Sequence, residues 1–305
     1  MATAVISPAS TERSSQAPAC VRLGFRLGDA VLGLDVADEA AQHLIEDAYA
    51  PLQCPPAGAS SRASLRRLGD GRLHVRYGRQ ILRLASAADP VSLRAEYHAA
   101  REIFARFASE RRETIAVYGA LCAIDGGAVL LLGPTTIGKT LLALHLAAAG
   151  ALFLGDETAV ISPKNSETRA MPRRPTLRES ALPLLPHEAM AQAVASSPRF
   201  FSTERGRFWY ALDAAALHGI EPSARPYPLR AVCVLRERGE RESIVRIDSA
   251  QGLKVLAQRA YVRPTSLAQL AALHAATRRA AFFDVTVGTP ESTSAALMRE
   301  VRACE

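Results

Sequence analysis

A chain of 305 residues has room for a full core and, by length, for two domains. Hydrophobic residues make up 49% and mean hydropathy is near zero, the balance of a globular protein, and no apolar run approaches a membrane span. The net charge is +7 and the positive charge is almost wholly arginine, which makes acidic partners such as ATP or an acidic peptide conceivable; the arginines are scattered rather than striped and aromatics are few, which favours a solvated surface over nucleic-acid binding. The five cysteines are odd in number with no close pair, so neither a disulfide framework nor a zinc site is expected, and the usage fits a reducing cytoplasm. The seven histidines form no metal spacing, and His145 reads as a packed or surface residue.

Residues 1–20 lack an apolar stretch and read as a disordered tail rather than a signal peptide. Phe25 to Val36 holds two apolar stretches around Gly28-Asp29, which predicts a hairpin. Ala37 to Ala50 places Ala41, Leu44, Ile45 and Tyr49 at helical spacing. Residues 51–64, rich in Pro, Ala and Ser, read as a loop. Leu73 to Tyr77 alternates, turns at Gly78-Arg79 and resumes at Ile81 to Leu84, a second hairpin. An amphipathic helix follows over 91–109, with Leu93, Tyr97, Ile103, Phe104 and Phe107 in its apolar set. Residues 21–110 therefore read as a small α+β domain with no catalytic pattern, and 111–305 as a second domain.

The second part opens with an apolar strand over Ile115 to Ile124, a turn at Asp125-Gly126-Gly127 and a buried strand from Ala128. Ala151 to Leu154 and Thr158 to Ile161 read as further strands. Beyond residue 163 the chain reads as irregular and basic, with a mobile loop over 196–208. Strands are expected at Leu229 to Leu235, Ile244 to Ile247 and Ala281 to Val287, and helices at 249–259, 265–276 and 290–303.

The chemistry concentrates at residues 133–140, Gly-Pro-Thr-Thr-Ile-Gly-Lys-Thr, which fit G-x-x-x-x-G-K-[ST] at every fixed position. An apolar strand precedes them and an Ala- and Leu-rich helix follows, the setting the motif requires. Gly133 and Gly138 let the backbone curl so that the amides of Pro134-Thr135-Thr136-Ile137 and their neighbours line one concavity (proline contributing none). Lys139 would reach the outer phosphates of ATP, and the Thr140 hydroxyl would hold Mg²⁺. The chain has only three lysines, so chance placement of one here is improbable. Gly155-Asp156-Glu157 closes the next strand, and Asp156 lies only 17 residues beyond Lys139. A carboxylate at the end of a parallel-type strand faces the crevice where ligands bind. One of the pair can hold Mg²⁺ while the other takes a proton from an attacking hydroxyl. Without the glycine loop the pair would read as a turn cap.

The run from Tyr118-Gly119 through the glycine loop to Gly155-Asp156-Glu157 resembles the catalytic core of the HPr serine kinases. It looks closer still to the HPr-kinase-like proteins of bacterial gene clusters, some of which modify ribosomal peptides such as lasso-peptide precursors. Arg174-Pro175-Thr176-Leu177-Arg178-Glu179-Ser180 is similar to a family stretch, one residue shorter. The resemblance implies an α/β fold with a P-loop kinase core of the HPr kinase and phosphoenolpyruvate carboxykinase type behind a small N-terminal α+β unit. It implies ATP and Mg²⁺ as cofactors, Asp156 as general base, and Glu157 as a Mg²⁺ or base-supporting carboxylate. It also implies a homo-oligomer. Three positions depart from the family pattern: Tyr118 replaces the histidine of the bifunctional enzymes, Thr136 a glycine inside the loop, and Glu157 a second aspartate. Positive charge beyond Lys139 is expected from Arg178, Arg205 and Arg207, the last two in the loop read as a lid.

The expected function is ATP-dependent phosphoryl transfer to a Ser/Thr hydroxyl of a peptide or small protein, with no membrane or nucleic-acid partner. The alternatives are a small-molecule kinase and a non-catalytic nucleotide-binding regulator.

Overall fold

The computed structural model describes residues 20–304, apart from 28, 70–71, 86–92, 110–113, 172–174, 198, 203–206, 213–224 and 262–266. The expected tail at 1–20 and Arg205 thus fall outside the described residues, Cys20 excepted.

The first strands, β1 (Val21–Leu27) and β2 (Ala30–Ala37), pair antiparallel as the predicted hairpin. Helix α1 (Glu39–Ala48) begins at Asp38, whose carboxylate accepts the Ala41 N–H at 2.8 Å, an N-cap that satisfies an otherwise orphaned amide. Residues 51–64 are not simply a loop: β3 (Gln53–Cys54) pairs with β1, and β4 (Ser61–Arg67) lies parallel to β2. Only Ala63 and Leu65 of β4 face the core, so its apolar alternation is too thin to stand out in a Ser/Arg-rich stretch. The hairpin β5 (Leu73–Tyr77) and β6 (Gln80–Ala85) completes a six-stranded sheet in the order β3-β1-β2-β4-β5-β6. Helix α2 (Leu93–Ser109) packs on it through Ile103, Phe104 and Phe107. The Phe104 ring stacks on Tyr49 with centroids 3.7 Å apart. This core also takes in Ala116, Val160 and Met171 from the second part of the chain.

The second part is a nine-stranded mixed sheet covered on both faces. The stretch expected as one strand at 115–124 is two, β7 (Ile115–Val117) and β8 (Ala120–Ile124). The break falls at Tyr118-Gly119, where a Cβ on Gly119 would lie 2.7 Å from the Leu131 carbonyl. The left-handed Asp125 and Gly126 turn the chain from β8 into β9 (Gly127–Leu132). Helix α3 (Lys139–Ala148) follows the glycine loop and leads to β10 (Leu152–Gly155). Then come β11 (Ala159–Ile161) and β12 (Glu167–Ala170).

The stretch read as irregular contains β13 (Thr176–Arg178), α4 (Glu188–Ala195), β14 (Arg199–Ser202) and β15 (Arg207–Ala211). Of the expected mobile loop at 196–208, residues 198 and 203–206 lie outside the described residues, while 199–202 and 207–208 belong to β14 and β15 of a separate sheet ordered β13-β15-β14. Its aromatic run, with Phe200 opposite Trp209 and Phe201 opposite Phe208, has the β propensity that the flanking Ser, Arg and Gly disguise. The remaining elements follow the sequence reading closely: β16 (Tyr227–Arg238), β17 (Ser243–Ile247), α5 (Ser249–Arg259), α6 (Leu267–Thr277), β18 (Ala281–Val287) and α7 (Pro290–Arg302).

Side-chain alternation in the central strands explains the two covered faces. Val129 and Leu131 of β9, with Ala231, Cys233 and Leu235 of β16, face the layer of α3, α4 and α7. Ala128, Leu130 and Leu132, with Val232, face α5 and α6. Strand β16 runs parallel to both β9 and β18. Strand β10, expected to pair in parallel, is antiparallel to β8, which is antiparallel to β9. Its direction is nevertheless that of β9. The ends of β9, β10 and β16 therefore share one edge of the sheet, and the glycine loop, Asp156 and Arg238 lie there.

Candidate functional site

The glycine loop leaves β9 after Leu132 and enters α3 at Lys139. A Cβ on Gly133 would meet the Leu235 carbonyl at 2.7 Å, so only glycine lets the chain pass so close to β16. Gly138 caps α3 at φ 114°, and the helical ladder begins with the Leu142 N–H donating to its carbonyl at 2.8 Å. The N–H groups of Lys139, Thr140 and Leu141 stand outside that ladder, at the positive end of the helix dipole. Ile137 N–H closes a turn onto the Pro134 carbonyl at 3.4 Å. Thr135 lines the cleft, and Thr136 takes the left-handed φ of 82°, a region its β-branched side chain disfavours.

Lys139 is buried. Its Nζ donates to the carbonyls of Gly133 (3.2 Å) and Pro134 (2.9 Å) and lies 4.6 Å from the centroid of the Tyr118 ring. Burial pulls its ammonium down to about 8, with Arg259 adding to the fall and Asp156 opposing it. The lysine is thus held by its own loop.

Asp156 follows β10 directly, and both its carboxylate oxygens are engaged. Oδ2 accepts the Thr140 hydroxyl at 2.6 Å and Oδ1 accepts the Glu157 N–H at 2.9 Å. The start of α3 and the acidic end of β10 are therefore in direct contact. Glu157 has φ 68°, and its backbone is tied down there: its carbonyl accepts the Tyr261 hydroxyl at 3.0 Å and the Gly119 N–H at 3.3 Å. Its carboxylate turns towards α2, where Arg101 Nη1 lies 3.9 Å away.

These groups line a cleft of about 670 Å³. The cleft is also lined by β13 and the segment after it, including Thr176, Arg178, Ser180 and Leu184, together with Trp209 of β15. The Arg178 guanidinium lies 5.1 Å from the Trp209 ring centroid. Arg178 is thus in the cleft, whereas of Arg207 only the backbone is described, as the first residue of β15. His145 is packed rather than ligating, its Nε2 2.7 Å from the Leu184 carbonyl.

The cleft also holds Arg101, Arg238, Arg259 and Tyr261, which sequence reasoning did not single out. They come from α2, the end of β16 and the end of α5, far apart in sequence and in no motif. Position was a sequence signal for Arg259 alone, which ends a helix expected at 249–259, whereas Arg238 lies three residues beyond the expected end of its strand at Leu235.

No protein-family model and no curated protein matches the chain at the level of sequence. Among solved structures it is similar to the HPr(Ser) kinase/phosphatase from Coxiella burnetii, with 11% identity and a TM-score of 0.29, over 62% of this chain and 94% of that one. What the site can do is read from its own residues. No helix among the described residues is long and apolar enough to cross a membrane. Those residues contain no group of three or more His, Cys, Asp and Glu that could cage a metal. A hydroxyl beside one carboxylate is instead the sparse donor set suited to Mg²⁺, which keeps several waters and takes phosphate oxygens.

Proposed function

We propose that this chain is an ATP-dependent kinase that transfers a phosphoryl group to a hydroxyl of a peptide or small protein. The observation that carries this reading is the 2.6 Å contact between Thr140 and Asp156, which joins a loop of P-loop sequence to a carboxylate within one cleft. In this reading residues 133–138 and the start of α3 bind the triphosphate of ATP through backbone amides. Lys139 exchanges its loop carbonyls for phosphate oxygens. Thr140 would hold Mg²⁺, which when bound neutralises phosphate charge, and the Asp156 carboxylate beside it is left to act as the base. The acceptor oxygen attacks the γ-phosphorus, its proton passes to the Asp156 carboxylate, and ADP leaves. Glu157 supports Asp156 through its backbone N–H, its own carboxylate being turned to Arg101. The volume of the cleft, about 670 Å³, and its arginine-rich lining suit an acceptor presented by a larger chain, such as a ribosomal peptide precursor. A panel of hydroxylated metabolites set against a serine- and threonine-containing peptide separates this from a small-molecule acceptor.

Asp156→Asn tests the reading. Labelled-phosphate transfer from ATP should fall by about 10²–10⁴-fold with Mg-ATP binding largely kept. Full transfer in that variant removes Asp156 as the base. A second reading, a nucleotide-binding regulator without catalysis, is favoured by the attachment of Lys139 to its own loop beside the Tyr118 ring. It predicts a wild-type protein that binds Mg-ATP and neither transfers nor hydrolyses it.

A further inference from the structure

Phosphoryl transfer needs cations beyond the loop lysine, and the arginines expected for this were Arg178, Arg205 and Arg207. We infer that Arg238 and Arg259 supply them, as two further ligands of the polyphosphate. This inference rests on the kinase reading's phosphate site and extends it.

Arg238 ends β16, the strand parallel to β9, so the register of the sheet delivers it beside the loop. Its Nε donates to the Ile137 carbonyl at 3.2 Å. Its Nη2 lies only 3.2 Å from the point a Cβ of Gly138 would occupy. Gly138 therefore serves twice, turning the chain into α3 and leaving room for a guanidinium over the first turn. With Nε fixed, the remaining N–H groups are pre-aimed, the fork geometry that suits phosphate oxygens. Arg259 ends α5 and lines the same cleft close enough to Lys139 to lower its proton affinity. Among the described residues neither guanidinium has an acidic partner.

The placement is electrostatically unfavourable as it stands. Two guanidinium groups, a buried ammonium and the positive end of α3 converge, against the Asp156 and Glu157 carboxylates. One of those carboxylates already faces Arg101. Like charges so gathered cost stability unless an anion joins them. A triphosphate supplies that anion. Arg178 is different, since its guanidinium already lies over the Trp209 ring.

The test is calorimetric titration of Mg-ATP and Mg-ADP into the wild type, Arg238→Gln and Arg259→Gln, with melting curves of each protein with and without nucleotide. Each variant should bind Mg-ATP about tenfold or more weakly, the loss expected for one charge-assisted contact. Without nucleotide Arg259→Gln should melt at the wild-type temperature or above it, because a repulsive charge has gone, whereas Arg238→Gln also gives up its bond to the Ile137 carbonyl and is judged on nucleotide affinity. Loss of a merely structural Arg259 would lower the melting temperature of the nucleotide-free protein instead. Arg238→Lys should recover part of the affinity, since it restores charge without the fork. Unchanged Mg-ATP affinity in both glutamine variants overturns the inference and leaves the kinase reading standing. A wild-type protein that binds no nucleotide overturns both.

Discussion

Lys139 is the residue whose chemistry depends most on its surroundings. In the folded protein its pKa falls to about 8, against roughly 10.4 for an unburied lysine. Below pH 8 both folded and unfolded chains hold the proton, and the full cost of burying the charge is borne. Between about pH 8 and 10.4 only the unfolded chain holds it, so the contribution of Lys139 to stability rises with pH across that window. A bound polyphosphate favours the charged lysine, so Mg-ATP binding near pH 8.5 should take up protons. Titrations in buffers of differing ionisation heat measure this, and proton release would contradict it. Thr136 offers a separate test, because its φ of 82° is strained for a β-branched residue. Thr136→Gly relieves strain of about 1–3 kcal/mol and concedes about 1 kcal/mol of unfolded-chain entropy. The variant should therefore be as stable as the wild type or up to about 2 kcal/mol more stable in urea unfolding. A loss beyond 1 kcal/mol would show that the threonine side chain holds the loop.

Among the elements, α5 shows how packing at one end sets chemistry at the other. Asp248 caps it through the Gln251 N–H at 2.9 Å, and its far end brings Arg259 to the cleft, with Tyr261 just beyond. Gly252 lets the helix lie against β18, since a Cβ there would fall 2.0 Å from Phe282 Cδ1. Gly252→Ala should cost about 1–3 kcal/mol by overpacking and weaken Mg-ATP binding by shifting Arg259. Chemical denaturation and nucleotide titration check the two effects, and neutral stability would mean that the helix has slack. Elements with strong local signals were legible in the sequence: α5, α7, β9, β18 and both N-terminal hairpins have clear periodicity, turn residues or caps. Strand β4 was not, because it offers only two buried side chains and its parallel pairing with β2 leaves no turn signature. Nor was the β14/β15 pair, whose aromatics sit among residues that also suit a loop.

At the scale of the whole molecule, the sheet gathers what the sequence separates. The glycine loop and Asp156 were legible as a unit because one helix and one short strand join them. Arg101, Arg238, Arg259 and Tyr261 were not, because only the pairing of β16 with β9 and the packing of α2 and α5 bring them to the same edge. The site also crosses the expected division of the chain. Arg101 belongs to the N-terminal unit, whose core includes Ala116, Val160 and Met171 from the other. The most direct measurement is a crystal structure with Mg²⁺ and a non-hydrolysable ATP analogue. The account predicts the γ-phosphate in the amide-lined loop, Lys139 swung onto it, and the Asp156 carboxylate facing the side from which an acceptor hydroxyl would attack. A nucleotide bound elsewhere, or an Asp156 carboxylate turned away from the γ-phosphate, would contradict it.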